Sequence, residues 1–370
     1  MAVKLDQIIK ALETEAPRKL AESWDNVGLM LGERNQEINR VLLTLDVTEA
    51  VIAEAIEKKV DLMISHHPFI FSGLKSLSSD SLKGRMIKNL IQNNIGVYSA
   101  HTNLDLAQSG LNDYMGRMLG IKQMKPLEAY TESYVKIAVF VPETHESEIL
   151  SALQKSGAGA IGQYDSCSFS TPGTGRFRPL AGSNPFIGTA NQIEAVEELR
   201  IEAIVREEAL NQTINLIKAA HPYETMAYDV YPLKTSIDPR HGLGRIGSLM
   251  EACEPEQWIN TVKTALDIKI LREAGKRPKK VCKVSLCTGA GIDLMPLAKA
   301  QRADVFITGD LKYHDGQRAE ELGIWVLDAG HFDTEKFAPD CFEKILTKAM
   351  SDDCPTLIKT QRAKGFLNFV

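Results

Sequence analysis

Residues 60–68 read VDLMISHHP, an apolar strand that stops at two adjacent histidines and a proline. Neighbouring residues on a strand point to opposite faces of the sheet, so His66 and His67 can share a site only where the strand has ended. Pro68 predicts that end, because proline cannot continue the hydrogen-bond ladder and restricts the residue before it. Two histidines at a strand end predict a metal site; a hydrogen-bonded histidine pair is the alternative.

Apolar strands and amphipathic helices alternate in both outer parts of the chain. The predicted strands cover residues 40–46, 60–65, 96–100, 280–287, 304–308 and 323–328. Such alternation is typical of right-handed parallel units, in which functional groups gather beyond the carboxyl ends of the strands. We therefore predict one interrupted α/β domain, built from residues 1–125 and 239–370 as two halves of one sheet.

The pattern changes between these two segments, in residues 126–238. There we expect a strand, a helix, further strands, a helix and a last strand, which is the order of a ferredoxin-like α+β unit. The glycine-rich residues 171–178 predict a hairpin or loop. Residues 221–224, HPYE, look like part of a site, but a structural turn is the favoured interpretation.

Two further segments carry a histidine four residues before an acid. His331 and Glu335 follow Gly330, and on a helix this spacing places both side chains on one face. His101 and Asp105 follow a strand, and we expect them in a loop. Either of these two could bind a metal while the other holds a ligand or water in place. For His331 and Glu335, the alternative to a metal site is a histidine at a helix start with a solvated glutamate.

Three histidine-plus-acid segments at three strand ends are a strong combined signal. They supply the imidazoles of His66, His67, His101 and His331 and the carboxylates of Asp105 and Glu335. This is more than one tetrahedral metal needs, and it suits a two-metal site of zinc, iron, manganese or nickel that activates water for hydrolysis.

Another histidine, His314, follows a strand end at Gly309 and is a candidate proton carrier or a packed histidine. No substrate-binding residues are predicted.

Composition excludes several classes of protein. The 370 residues carry a net charge of −5, which argues against nucleic acid as a partner. The six cysteines form no Cys-x-x-Cys pair, so a zinc ribbon is not expected. We expect no signal peptide and no membrane span, because no apolar run approaches about 20 residues. The expected location is the cytoplasm, with reduced thiols.

The motifs together resemble the Nif-three-like dinuclear metal-centre proteins, also known as GTP cyclohydrolase 1 type 2 homologues. The resemblance rests on residues 24–29 (WDNVGL), 65–68 (SHHP), 101–105 (HTNLD), 309–310 (GD), 314–315 (HD), 330–331 (GH) and 334–335 (TE). It covers both outer segments. Longer bacterial members of this family carry an inserted domain similar to the PII and CutA proteins, and residues 126–238 resemble that domain.

The resemblance implies two divalent metal ions per subunit. His66 and Asp105 would bind one ion, His67 and His331 the other, and Glu335 would bridge both. His101 then becomes a catalytic residue or one that supports a ligand. The resemblance also implies a toroidal homohexamer, with metal sites facing an internal cavity and inserted domains capping its openings.

Three functions follow as hypotheses. The first is a metal-dependent hydrolase that acts on a nucleotide such as GTP, with His101 or His314 moving protons. The second is a two-metal phosphatase or phosphodiesterase. The third belongs to another class, a non-enzymatic metal-binding regulator or assembly protein whose insertion senses a small ligand.

Overall fold

The computed structural model describes residues 3–131, 133–233 and 240–367. The chain divides into two compact units. The outer unit comprises Met1–Tyr130 and Asp238–Val370, and the inserted unit comprises Thr131–Ile237. One compact unit therefore interrupts the sequence of the other.

The first segment of the outer unit alternates strands and helices as its apolar pattern predicts. In chain order it contains β1 (Val3–Lys4), α1 (Leu5–Glu15), β2 (Gly28–Leu31), β3 (Glu37–Ile38), β4 (Arg40–Thr44), α2 (Glu49–Glu57), β5 (Leu62–Ser65), α3 (Leu82–Gln92), β6 (Gly96–Ser99), α4 (Thr102–Leu106), α5 (Leu111–Met118) and β7 (Lys122–Ala129). Thr48 and Ser81 begin α2 and α3, because their hydroxyl oxygens accept hydrogen bonds from backbone amides of the first turn.

The inserted unit has one antiparallel sheet. Its elements are β8 (Tyr134–Pro142), α6 (Glu146–Ser156), β9 (Ser168–Phe177), β10 (Glu194–Arg206), α7 (Leu210–Ala220) and β11 (Tyr228–Leu233). The sheet order β11-β8-β10-β9 with this chain order is ferredoxin-like. Residues 171–177, in the stretch predicted to be a hairpin or loop, form part of an antiparallel strand pair with β10. These residues belong to β9, where the edge position tolerates Pro172.

The second segment of the outer unit continues the alternation. It contains β12 (Gly242–Cys253), α8 (Pro255–Leu266), β13 (Arg272–Ala274), β14 (Val281–Leu286), α9 (Met295–Ala300), β15 (Val305–Thr308), α10 (Tyr313–Leu322), β16 (Trp325–Asp328), α11 (His331–Glu335), α12 (Ala338–Met350) and β17 (Thr356–Lys359). None of the helices in the described ranges combines the length and apolar character that a membrane span requires.

The outer unit contains two large sheets, so the prediction of one interrupted sheet was wrong. Their orders are β17-β4-β5-β6-β2 and β13-β16-β15-β14-β12-β7. Each sheet includes one strand from the other segment of the chain. From the first segment, β7 pairs with β12, and from the second segment, β17 pairs with β4. This exchange ties two α/β sheets into one unit, because each sheet needs strands from both segments.

The expected domain boundary at residues 125 and 126 falls inside β7. Pro126 lies opposite Arg245 of β12, so residues up to 130 belong with the outer unit. The other expected boundary, at residues 238 and 239, lies outside the described residues. The inserted unit, Thr131–Ile237, lies within residues 126–238.

The parallel strands of the two sheets are buried along their length. Every residue of β5, β6, β15 and β16 is buried, which is expected when helices cover both faces of a parallel sheet. The segments that follow the carboxyl ends of β4, β5 and β6 meet those that follow β14, β15 and β16. The polar side chains of the candidate site lie at this junction.

Candidate metal centre

Four histidines and a glutamate from both sheets converge at the junction. One ring nitrogen each of His66, His67 and His101 lies within 4.8 Å of the other two. The ligand atoms of His67, His331 and Glu335 form a second such group. His67 belongs to both groups, so the two clusters are continuous and could hold metal ions side by side.

Glu335 lies at the centre of the cluster and is 3% exposed. Its Oε2 atom is 2.9 Å from Nε2 of His67 and 3.0 Å from Nε2 of His331, while Oε1 is 3.8 Å from Nε2 of His66. Burial would raise the pKa of Glu335, but the neighbouring imidazoles, led by His331, hold it well below its usual range. The two carboxylate oxygens therefore face different histidines, as a bridging ligand requires.

His66 carries a buried nitrogen without a hydrogen-bond partner among the described residues. Its Nδ1 pairs with the Ala100 carbonyl at 2.9 Å, whereas Nε2 is orphaned and lies 3.7 Å from Oδ1 of Asp105. That separation is too long for a hydrogen bond. Two ligand atoms bound to one zinc at about 2.1 Å each stand roughly 3.4 Å apart in tetrahedral geometry. The gap therefore fits a cation between the imidazole and the carboxylate.

The other three imidazoles are held by carboxylates through Nδ1. His67 pairs with Asp46 at 2.8 Å, His331 with Asp310 at 2.8 Å, and His101 with Asp25 at 3.0 Å. Metal-binding histidines characteristically hydrogen-bond through the second ring nitrogen in this way, which fixes the tautomer and the ring orientation. Each Nε2 is therefore the atom left to face the cluster.

Sequence reasoning did not identify these three acids as histidine partners. Two of them carried a usable signal, because Asp46 and Asp310 each stand two residues beyond the end of a parallel strand. Asp25 lies in residues 24–29, the WDNVGL stretch that contributes to the family resemblance. Burial would raise the pKa of Asp25, but hydrogen bonds from His101 and Thr102 lower it to about 2. It is an anion that orients His101.

The segment from His101 to Asp105 was expected to be a loop, and this was wrong. Residues Thr102–Leu106 form a one-turn helix with His101 at its amino-terminal boundary. Amides of Leu104 and Asp105 donate to the His101 carbonyl. The turn directs Asp105, which is 7% exposed, towards His66, and burial raises the pKa of Asp105.

His314 does not join the cluster. It lies exposed in the first turn of α10, and its ring contacts that of Tyr313 at a centroid distance of 5.4 Å. By contrast, Gly289 lies against the cluster. Its backbone has φ of +62°, and a Cβ atom there would be 2.2 Å from Oε1 of Glu335. Glycine is needed at this position for both reasons.

A pocket of about 520 Å³ opens beside the cluster. Its wall includes His67, His331, Asp46, Asp310 and Arg272. The volume is in the range of small-molecule sites, and the pocket reaches the imidazoles that face Glu335. A ligand in the pocket would contact the proposed metal ligands directly.

Metal uptake at this cluster is expected to release protons. Burial lowers the pKa of His67, but Asp46 and Glu335 raise it to about 10; the hydrogen bond with Glu335 raises that of His331 to about 9. Both imidazoles therefore carry an additional proton at pH 8 that a metal must displace, so affinity rises with pH up to about 10. Calorimetric titration of Mn²⁺ at pH 8, in buffers of different ionisation enthalpy, should report about two protons per chain. Identical enthalpies in all buffers would contradict this.

The chain is similar to known proteins over nearly its whole length. The family described as Duf34/NIF3 (NGG1p interacting factor 3) matches residues 3–362. A Bacillus subtilis (strain 168) protein named "GTP cyclohydrolase 1 type 2 homolog" is 40% identical over 352 residues, or 95% of this chain and 94% of that relative. A protein of the same name from Halalkalibacterium halodurans is 41% identical over 346 residues, 93% of this chain and 92% of that relative.

Two solved structures resemble the whole chain. A Bacillus cereus protein related to NIF3 has a TM-score of 0.67 at 38% identity, and the alignment covers 100% of this chain and 99% of that chain. The Staphylococcus aureus protein SA1388 has a TM-score of 0.74 at 28% identity, with the same coverage. Both outer segments and the insertion are therefore present in each of these neighbours.

Proposed function

Because the chain belongs to the DUF34/NIF3 family, we propose that it is a dinuclear metal-dependent hydrolase acting on a nucleotide such as GTP. One observation carries the proposal: buried Glu335 directs Oε2 towards His67 and His331 and Oε1 towards the orphaned Nε2 of His66. The names of the Bacillus and Halalkalibacterium relatives suggest the substrate. The adjoining pocket is large enough for a small molecule.

The residues present fit two divalent ions, whether zinc, iron, manganese or nickel. His66 and Asp105 would hold one ion and His67 and His331 the other, with one oxygen of Glu335 on each. When bound, such ions polarise the substrate and activate water. The shared carboxylate and the supported imidazoles keep the ligand atoms in place before any ion arrives.

His101 is the proton carrier in this proposal. Asp25 accepts a hydrogen bond from Nδ1 of His101 and leaves Nε2 directed to the cluster, within 4.8 Å of ring nitrogens of His66 and His67. The exposed position of His314 and its contact with Tyr313 support proton transfer by His101 rather than by His314. The ring centroid of Trp24 lies 6.1 Å from that of His101.

The proposal predicts turnover of GTP by metal-loaded protein, with a product heavier than GTP by one water after hydrolytic opening of the purine ring. The His101→Gln variant should lose about 10²-fold in kcat, because a positioned proton carrier contributes at least that much, and should keep its metal. The matched His314→Gln variant should retain wild-type turnover. Mass spectrometry of the nucleotide and elemental analysis of the protein provide the two readouts.

Absence of turnover with any of the four metals would contradict hydrolysis of GTP. Phosphate release without ring opening would instead select a two-metal phosphatase or phosphodiesterase. Metal retention without any turnover would favour a non-enzymatic regulator, for which the separate inserted unit is the supporting feature. We further propose that this unit is PII/CutA-like and that the chain assembles as a toroidal homohexamer, as the family resemblance implies.

A further inference from the structure

The inserted unit contains a second pocket, of about 450 Å³, whose wall is aromatic. Phe177, Phe186 and Tyr223 line it; the Tyr223 ring centroid lies 5.7 Å from that of Phe177 and 6.3 Å from that of Phe186. Phe186 is 52% exposed, so its ring is accessible to a ligand. Such a wall can stack against a planar ring.

A buried carboxylate lies against the aromatic wall. Glu198 of β10 is 8% exposed, and its Oε1 accepts a hydrogen bond of 2.9 Å from the Tyr223 hydroxyl. Its Oε2 has neither a hydrogen bond nor an ion pair with any described residue. Gly175 leaves room for this oxygen, because a Cβ atom there would be 2.1 Å away. This oxygen can therefore accept a hydrogen bond from a ligand in the pocket.

The turn at residues 221–224 positions part of this wall. His221 is buried; its Nε2 donates to the Phe140 carbonyl, and its Nδ1 accepts from the Tyr223 amide. The interpretation of a structural turn therefore holds for His221, while Tyr223 and Glu224 of the same motif line the pocket. Arg176 and Arg178 also line it, are exposed, and form no ion pair within the described residues.

We propose that this pocket binds a guanine nucleotide. The aromatic rings would stack on the base, Glu198 would accept hydrogen bonds from its edge, and the two arginines would meet the phosphates. An ionised carboxylate only accepts, and the guanine edge presents a ring N–H beside an amino group, two adjacent donors. The adenine edge pairs a donor with an acceptor and would repel the carboxylate. The site belongs to the inserted unit and does not depend on hydrolysis at the metal centre.

Calorimetric titration of the full chain with GTP, ATP and guanosine tests the site. Tetramethylammonium is titrated as well, because aromatic walls can also bind quaternary ammonium ions. We expect saturable GTP binding that Glu198→Gln weakens about tenfold or more, since it loses a charge-assisted hydrogen bond. The Glu335→Gln variant should keep this binding event, which separates the inserted pocket from the metal centre. Guanosine should bind about tenfold more weakly than GTP, and replacing both Arg176 and Arg178 by Gln should abolish that difference.

Several outcomes would overturn the proposal. These are equal binding of ATP and GTP, binding that is lost in Glu335→Gln but unchanged in Glu198→Gln, or saturation by tetramethylammonium in place of nucleotides. Absence of any saturable nucleotide binding would do the same. Glutamine preserves the volume of Glu198, and an unchanged thermal unfolding midpoint would verify that each variant is folded.

Discussion

Replacement of Glu335 by glutamine is expected to lower the bound metal from about two ions per chain to one or none. Both oxygens of Glu335 face imidazoles, and its side chain is almost fully buried. Glutamine keeps the volume but offers one acceptor oxygen, and its amide group would direct N–H donors at a position that we propose for a cation. The loss of a shared anionic ligand should therefore weaken both proposed metal positions.

Elemental analysis of protein purified without chelator measures this effect. Glu320→Gln provides a matched control, because Glu320 is an exposed residue of α10. The control should retain the wild-type metal content. A Glu335→Gln protein with a full complement of metal would refute the bridging role, and it would require ligands other than those proposed.

Replacement of Arg245 by methionine is expected to reduce the free energy of unfolding by about 3–5 kcal/mol. Arg245 is 2% exposed and forms an ion pair with Asp113 of α5 at 2.6 Å. It also donates to the carbonyls of Ala107, Gly242 and Gly244. Methionine fills similar space, so the loss would report a buried, unpaired carboxylate and unsatisfied carbonyls rather than a cavity.

Chemical denaturation with urea measures this difference. Arg318→Met is the matched control, because Arg318 is exposed on α10, and its effect should stay within about 0.5 kcal/mol. A change in Arg245→Met no larger than in the control would contradict the proposed importance of this buried network. Arg245 joins the two segments of the outer unit next to α4, so reduced metal binding should accompany the loss of stability.

Most secondary structure of the outer unit could be predicted from local patterns. The apolar run before His66 and the spacing of His331 and Glu335 each predicted an element that the structure contains. These signals depend on residues within one or two turns of each other, and periodicity reports them directly.

Strand pairing could not be predicted in the same way. The periodicity of β7 and β17 does not indicate their pairing partners. Periodicity shows which face of a strand is buried and not which strand lies beside it. The one-turn helix after His101 was also not predicted, since a loop was expected there. A five-residue helix has too few hydrogen bonds to be stable alone and forms only in tertiary context.

The sequence by itself determined the residue types of the site, the strand ends that carry them and the presence of an insertion. Only the tertiary structure decided that strand ends of two sheets meet at one site, which acids support which imidazoles, and which nitrogen of His66 is left without a partner. The physical reason is the range of the interactions. Backbone propensity and polarity act along the chain, whereas a ligand set depends on atoms about 270 residues apart, such as His67 and Glu335, lying within 3 Å.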